Sequence, residues 1–193
     1  MNGVRLTALS VLVAAAAGCG GSGSGTTTLS APTSPTAGFV LSQRTPAPSF
    51  LLRDETGTLV GPQAYRGRWL VVTFLYTHCP DVCPLIANQL AAAQRANKDL
   101  RVLAVSVDPK RDTRTAVRSF LRTHHAGPNF HYVTGPRTAL AQVWRKYHIA
   151  ALPGPSGTVS HSAFSLLVDP QGRERVLFDS QVTARQVLTA VAR

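Results

Sequence analysis

Trp69-Leu70-Val71-Val72-Thr73-Phe74-Leu75-Tyr76 runs directly into Thr77-His78-Cys79-Pro80-Asp81-Val82-Cys83-Pro84. The first half is continuously apolar and has the length of a strand, so it reads as a central strand covered on both faces. Beyond it the period changes. Leu85, Ile86, Gln89, Leu90 and Ala93 recur at helical spacing, and Pro84 suits a first helical turn. Two thiols with three residues between them therefore stand where a buried strand gives way to a helix. Unpaired N–H groups at a helix start favour a thiolate, so a cysteine there is expected to have a lowered pKa. Once helical, positions i and i+4 share a face, with side-chain roots roughly 6 Å apart. Both sulfurs can then address one small object, either each other as a disulfide or a soft metal ion.

Working outward, Phe50 to Val60 reads as two short strands around a turn. Arg101 to Asp108 is a second buried strand. Asp112 or Thr113 then caps a helix carrying Val117, Phe120 and Leu121, which ends near His124-His125-Ala126-Gly127-Pro128. Phe130 to Val133 reads as a short strand and Thr138 to Tyr147 as a helix. Ala151 to Ser160 reads as a Gly/Pro loop. Ala163 to Asp169 and Glu174 to Phe178 form a hairpin across Pro170-Gln171-Gly172, and Thr183 caps a last amphipathic helix. This order predicts an α/β, thioredoxin-like fold: a central mixed sheet flanked by helices, with an N-terminal β-hairpin.

The N-terminus bears on compartment. Met1 to Leu6 carry one positive charge, and the apolar stretch Leu9 to Ala17 is too short to span a bilayer. With Ala16-Ala17-Gly18-Cys19 behind it, this has the shape of a secretory signal. The cysteine after small residues resembles a bacterial lipobox, in which cleavage precedes Cys19 and its thiol is acylated; Leu is usual where Ala16 stands. Ordinary cleavage, leaving Cys19 a free thiol, is the plainer alternative. The Gly/Ser/Thr run from Gly20 to Thr28 favours a tether. The expected organisation is a lipoprotein signal peptide over 1–18, a disordered Gly/Ser/Thr/Pro tether over 19–45, and one folded domain over 46–193. Of the three cysteines, lipidation of Cys19 would leave only the Cys79/Cys83 pair, so the chain is not a disulfide scaffold. The net charge of +11 fits an acidic partner or anionic lipid, or merely a bias toward arginine. No basic run is interleaved with aromatics, so no nucleic-acid partner is expected.

A two-thiolate metal site needs a third ligand, and the chain has six histidines. His78 adjoins Cys79, His124 and His125 sit at a helix end, and His131 and His148 have no evident partner. His161, in Val159-Ser160-His161-Ser162, falls in the loop that a thioredoxin-like sheet places beside the cysteine motif. Two thiolates and an imidazole suit trigonal Cu(I), or Zn²⁺ with a fourth ligand. The absence of methionine after Met1 excludes a Met-rich copper carrier. The same two thiols also suit a thiol–disulfide oxidoreductase in which Cys79 attacks and Cys83 resolves. A purely structural disulfide closing so short a loop would stabilise little.

Tyr76-Thr77-His78-Cys79-Pro80-Asp81-Val82-Cys83-Pro84 resembles the signature of the Sco/SenC family. Ser106-Val107-Asp108-Pro109-Lys110-Arg111-Asp112-Thr113, Thr134-Gly135, His161-Ser162 and Leu166-Leu167-Val168-Asp169-Pro170-Gln171-Gly172 are similar to further family segments, in the same order. The resemblance covers roughly residues 45–193. It implies a thioredoxin-fold copper protein, tethered by a lipid anchor to the extracytoplasmic face of a bacterial cell membrane. Such a protein delivers copper to the CuA centre of cytochrome c oxidase subunit II, or reduces the cysteines of that centre. Carried onto this chain, the resemblance makes Cys79, Cys83 and His161 the ligands of Cu(I), and of Cu(II) where it binds. It makes Cys79–Cys83 the disulfide of the oxidised form, and it implies oxidase subunit II or its assembly factors as partners. A monomer is expected. One departure is Ser160, which stands where many members have Asp and so removes a charge beside the ligand.

Overall fold

The computed structural model describes residues 38–154 and 158–193. The signal segment, Cys19 and the tether as far as residue 37 lie outside the described residues. The main sheet has six strands in the order β1-β10-β9-β4-β5-β6. These are β1 (Phe39–Val40), β4 (Trp69–Leu75), β5 (Leu100–Ser106), β6 (Phe130–Val133), β9 (Ser165–Val168) and β10 (Glu174–Phe178). Strand β4 lies parallel to β5 from Trp69↔Leu100 to Leu75↔Ser106 and antiparallel to β9, so the sheet is mixed. Parallel neighbours need long crossovers. Helix α1 (Val82–Ala96) makes the one from β4 to β5, and α2 (Arg114–Thr123) makes the one from β5 to β6. Helices α3 (Arg137–Lys146) and α4 (Ala184–Val191) complete the layers.

The apolar run that opened the reading is the centre of the core: every residue from Leu70 to Leu75 is buried. Phe74 packs its ring against Tyr147 at 5.4 Å and Phe164 at 5.6 Å. The α3 residue Trp144 donates its indole N–H to the Ser106 carbonyl at 2.9 Å, fastening that helix to the end of β5. Helix α4 starts with a capping box of Thr183 and Gln186, and the Ala184 N–H donates to Gln89 of α1 at 2.9 Å.

Two local readings change, and the expected hairpin is found. Order begins inside the stretch read as tether, because Phe39 and Val40 pair with Leu177 and Val176 and cover the edge of β10. The expected N-terminal hairpin forms from β2 (Leu52–Arg53) and β3 (Leu59–Val60), as a separate two-stranded sheet. Its turn is held by the Asp54 carboxylate, which accepts the Thr56 and Thr58 N–H groups at 2.9 Å each. The expected Gly/Pro loop contains two strands, β7 (Ala151–Pro153) and β8 (Val159–His161), paired antiparallel with Ala151 opposite His161. His161 is therefore a strand residue. Proline is tolerated there because a two-stranded ribbon has only edges.

Truncation of Phe74 to alanine would empty a fully buried aromatic site contacted by two other rings. It is expected to lower unfolding free energy by about 4 kcal/mol, measured from the urea midpoint at unchanged slope.

Candidate metal centre

The turn after β4 is fastened by one buried carboxylate. Asp112 accepts the Thr77 N–H and the Thr77 hydroxyl on Oδ1, both at 2.8 Å. On Oδ2 it accepts the Ser106 hydroxyl at 2.6 Å and the Tyr132 hydroxyl at 2.8 Å. Asp112 is 1% exposed. Burial pushes its carboxyl above the usual range, and these donors oppose that shift. Of the two residues read as the cap of α2, Thr113 takes that place, since its hydroxyl accepts the Ala116 N–H at 3.2 Å.

With Thr77 fixed, the chain closes a turn in which the Cys79 N–H donates to the Tyr76 carbonyl at 3.3 Å. Cys79 lies ahead of α1, and Cys83 lies in its first turn, completely buried. The Cys83 N–H donates to the Cys79 sulfur at 3.4 Å, and the thiols are not bonded to each other. This is the reduced form of the pair, in which the anticipated Cys79–Cys83 disulfide is open.

The two sulfurs hold one proton between them. Donation from the Cys83 thiol is the main influence that pulls Cys79 down to about 5. Burial opposes it, and the N–H groups of Cys83 and Asp81 and the Tyr76 hydroxyl reinforce it. Cys83 moves far upward because its proton is engaged by Cys79, because it is buried, and because the Cys79 and Asp112 charges face it. Cys79 is thus the thiolate and Cys83 the thiol.

His161 stands one ring away. Its imidazole meets the Tyr76 ring edge-on, with centroids 5.8 Å apart and planes at 88°. The Tyr76 hydroxyl accepts the Val159 N–H of β8 at 3.5 Å and donates to Cys79. Burial lowers the pKa of His161, so the ring is neutral near pH 7. Its Nε2 is buried and has no hydrogen-bond partner among the described residues. A buried unpaired nitrogen is costly, and a neutral imidazole so placed fits a ligand for a soft cation.

The structure brings the two cysteines together and sets His161 against Tyr76, whose hydroxyl bonds Cys79. Among the described residues, the trio whose ligand atoms all lie within 4.8 Å of one another is Asp54, Glu55 and His131. His131 was read as having no partner, but its Nδ1 lies 3.2 Å from Asp54 and 3.4 Å from Glu55. His78 bonds the Thr77 hydroxyl at 2.9 Å, and His124 bonds Asn88 at 3.0 Å. His125 and His148 take positive φ, at 53° and 55°.

The SCO1/SenC family model matches residues 41–193. The human protein named "Protein SCO1 homolog, mitochondrial" is 29% identical over 154 residues, which are 74% of this chain and 50% of that protein. The chain thus spans half the length of that relative. Among solved structures, Arabidopsis thaliana ScoI with copper bound aligns at a TM-score of 0.67 and 26% identity, over 75% of this chain and 94% of its own. Bradyrhizobium japonicum ScoI with copper bound aligns at 0.64 and 28% identity, over 76% and 98%. No helix among the described residues is long and apolar enough to cross a membrane.

Alkylation of the reduced protein should label Cys79 first, with a rate that halves as pH falls through about 5. Tyr76→Phe removes a donor to that thiolate and should move the midpoint upward. A wild-type midpoint near the ordinary thiol value of about 8.5 would rule out the thiolate assignment. Asp112→Ala leaves the buried Ser106 hydroxyl and the Thr77 N–H without their acceptor and should cost about 2–3 kcal/mol in denaturant titrations.

Proposed function

The chain belongs to the SCO1/SenC family, and on that footing we propose that it binds copper and passes it on during cytochrome c oxidase assembly. The observation that supports this most directly is His161 Nε2, buried and without a hydrogen-bond partner among the described residues, on a ring packed against the tyrosine that bonds Cys79. Cys79, Cys83 and His161 are the proposed ligands, with Cu(I) as the favoured cargo, because two sulfurs and an imidazole suit a soft ion in a three-coordinate site. Cys79 is already ionised, so binding expels one proton, from Cys83. His161 rests against Tyr76 and, with the two sulfurs, does not form a trio within 4.8 Å, so the three have to draw together to bind one ion. A site open at a fourth position lets a recipient thiolate enter before the donor ligands leave. The proposed recipient is the CuA centre of oxidase subunit II. The proposed setting is the extracytoplasmic membrane face, with Cys19 as the lipid anchor; the signal-like N-terminus supports that setting.

A second reading is supported by the split protonation of the pair. Thiolate Cys79 can attack a target disulfide, forming a mixed disulfide and releasing one target thiolate. Cys83, on losing its proton, then attacks Cys79 sulfur, which forms Cys79–Cys83 and releases the second target thiol. Two electrons pass from the pair to the target, and His161 has no part in the exchange.

Competition titration of Cu(I) against a chromogenic chelator separates the two readings. His161→Ala is expected to weaken copper binding at least tenfold, in line with the roughly 10–100-fold cost of disturbing a metal site, while keeping reductase activity toward a model disulfide. Equal copper affinity in His161→Ala and wild type would remove His161 from the site.

A further inference from the structure

Beside the cysteine pair, the turn between β5 and α2, the start of α3 and the β7–β8 ribbon line a groove of about 680 Å³. Its charge is one-sided. Lys110, Arg111 and Arg137 line it against one carboxylate, Asp108, and that carboxylate is ion-paired with Arg111. Lys110 and Arg137 are exposed. Arg137 lies over the Trp144 ring at 5.6 Å, which holds its guanidinium in place. Pro109 and Pro136 stiffen the walls. The groove also shares parts with the cysteine site. Arg111 lies 6.0 Å over the Tyr76 ring, and Val159, another lining residue, donates its N–H to the Tyr76 hydroxyl.

We propose that this groove docks an acidic segment of a partner polypeptide, whose carboxylates pair with Lys110 and Arg137. The concavity suits an extended chain, whereas a bilayer surface would meet only the rim. A second copy of this chain is disfavoured, because 20 basic residues against 9 acidic ones make two copies repel. A segment seated here lies against Arg111 and Val159, both in contact with Tyr76, whose hydroxyl bonds Cys79, and so presents the partner near Cys79. The proposal rests on the copper-transfer reading only for the purpose of docking; the contact itself needs no copper.

The test uses the full-length reduced chain and a fluorescein-labelled glutamate-rich peptide of about a dozen residues, read by anisotropy at low and moderate salt. The double variant K110E/R137E is compared with R185E/R193E, which makes the same change in net charge on and after α4, away from the groove. K110E/R137E should lose at least about tenfold in affinity, several times more than the control pair, with a weakened salt dependence. Equal losses in the two variants would overturn the proposal, since net charge alone would then explain binding. It is also overturned if wild type ignores the peptide but binds phosphatidylglycerol vesicles in a manner that K110E/R137E abolishes, or forms a dimer that K110E/R137E dissolves. Cu(I) affinity is measured alongside. Peptide binding by a protein that fails to take up copper would sink the copper reading and leave the docking site standing.

Discussion

A single buried carboxylate organises the functional end of this domain. Asp112 receives donors from the turn after β4, from the end of β5 and from β6, while its own backbone starts the turn into α2. Strands in a sheet are spaced by their ladders, but their ends are free to splay. Here four hydrogen bonds to one side chain set where the chain leaves β4, and hence where Cys79 lies relative to Cys83. The charge that does this work also faces Cys83 and helps to keep its proton in place. Position and protonation of the cysteine pair therefore share one cause.

The asymmetry of the pair matters for either chemistry considered above. Two adjacent thiolates would repel, and two thiols would be poor ligands and poor nucleophiles. Sharing one proton avoids both and leaves a nucleophile on the outer cysteine and a reserve thiol on the inner one. His161 fits the same scheme, because burial keeps its ring neutral and so able to offer a lone pair.

Much of this was readable in the sequence, for identifiable reasons. Strands β4 and β5 are apolar on both faces, so hydrophobicity alone marks them. The first turn of α1 is marked by its cysteine spacing and Pro84. What escaped the reading lacks a local signature. Phe39 and Val40 are 71% and 64% exposed and gain only edge pairing, so no burial pattern distinguishes them from tether. The β7–β8 ribbon is masked by Pro153 and Gly154. Asp112 reads as a cap because Asp before Thr is a capping signal, while Thr77 and Tyr132, which give it another task, are remote in the chain. His131 and its two carboxylates are separated in the same way. Topology points His161 toward the motif, but its packing against the Tyr76 ring has no local signature.

That ring has a thermodynamic consequence. Tyr76 touches His161 on one side, bonds Cys79 through its hydroxyl, and carries Arg111 over its face. Metal capture that moved His161 and partner docking that pressed on Arg111 would both act on this one side chain. If docking changes copper affinity through Tyr76, copper must change docking affinity by the same factor. A recipient that docks more tightly to the loaded protein would, by the same coupling, hold copper in place until its own ligands have engaged. Loading and recognition would then form one linked equilibrium, with a phenol as the shared variable.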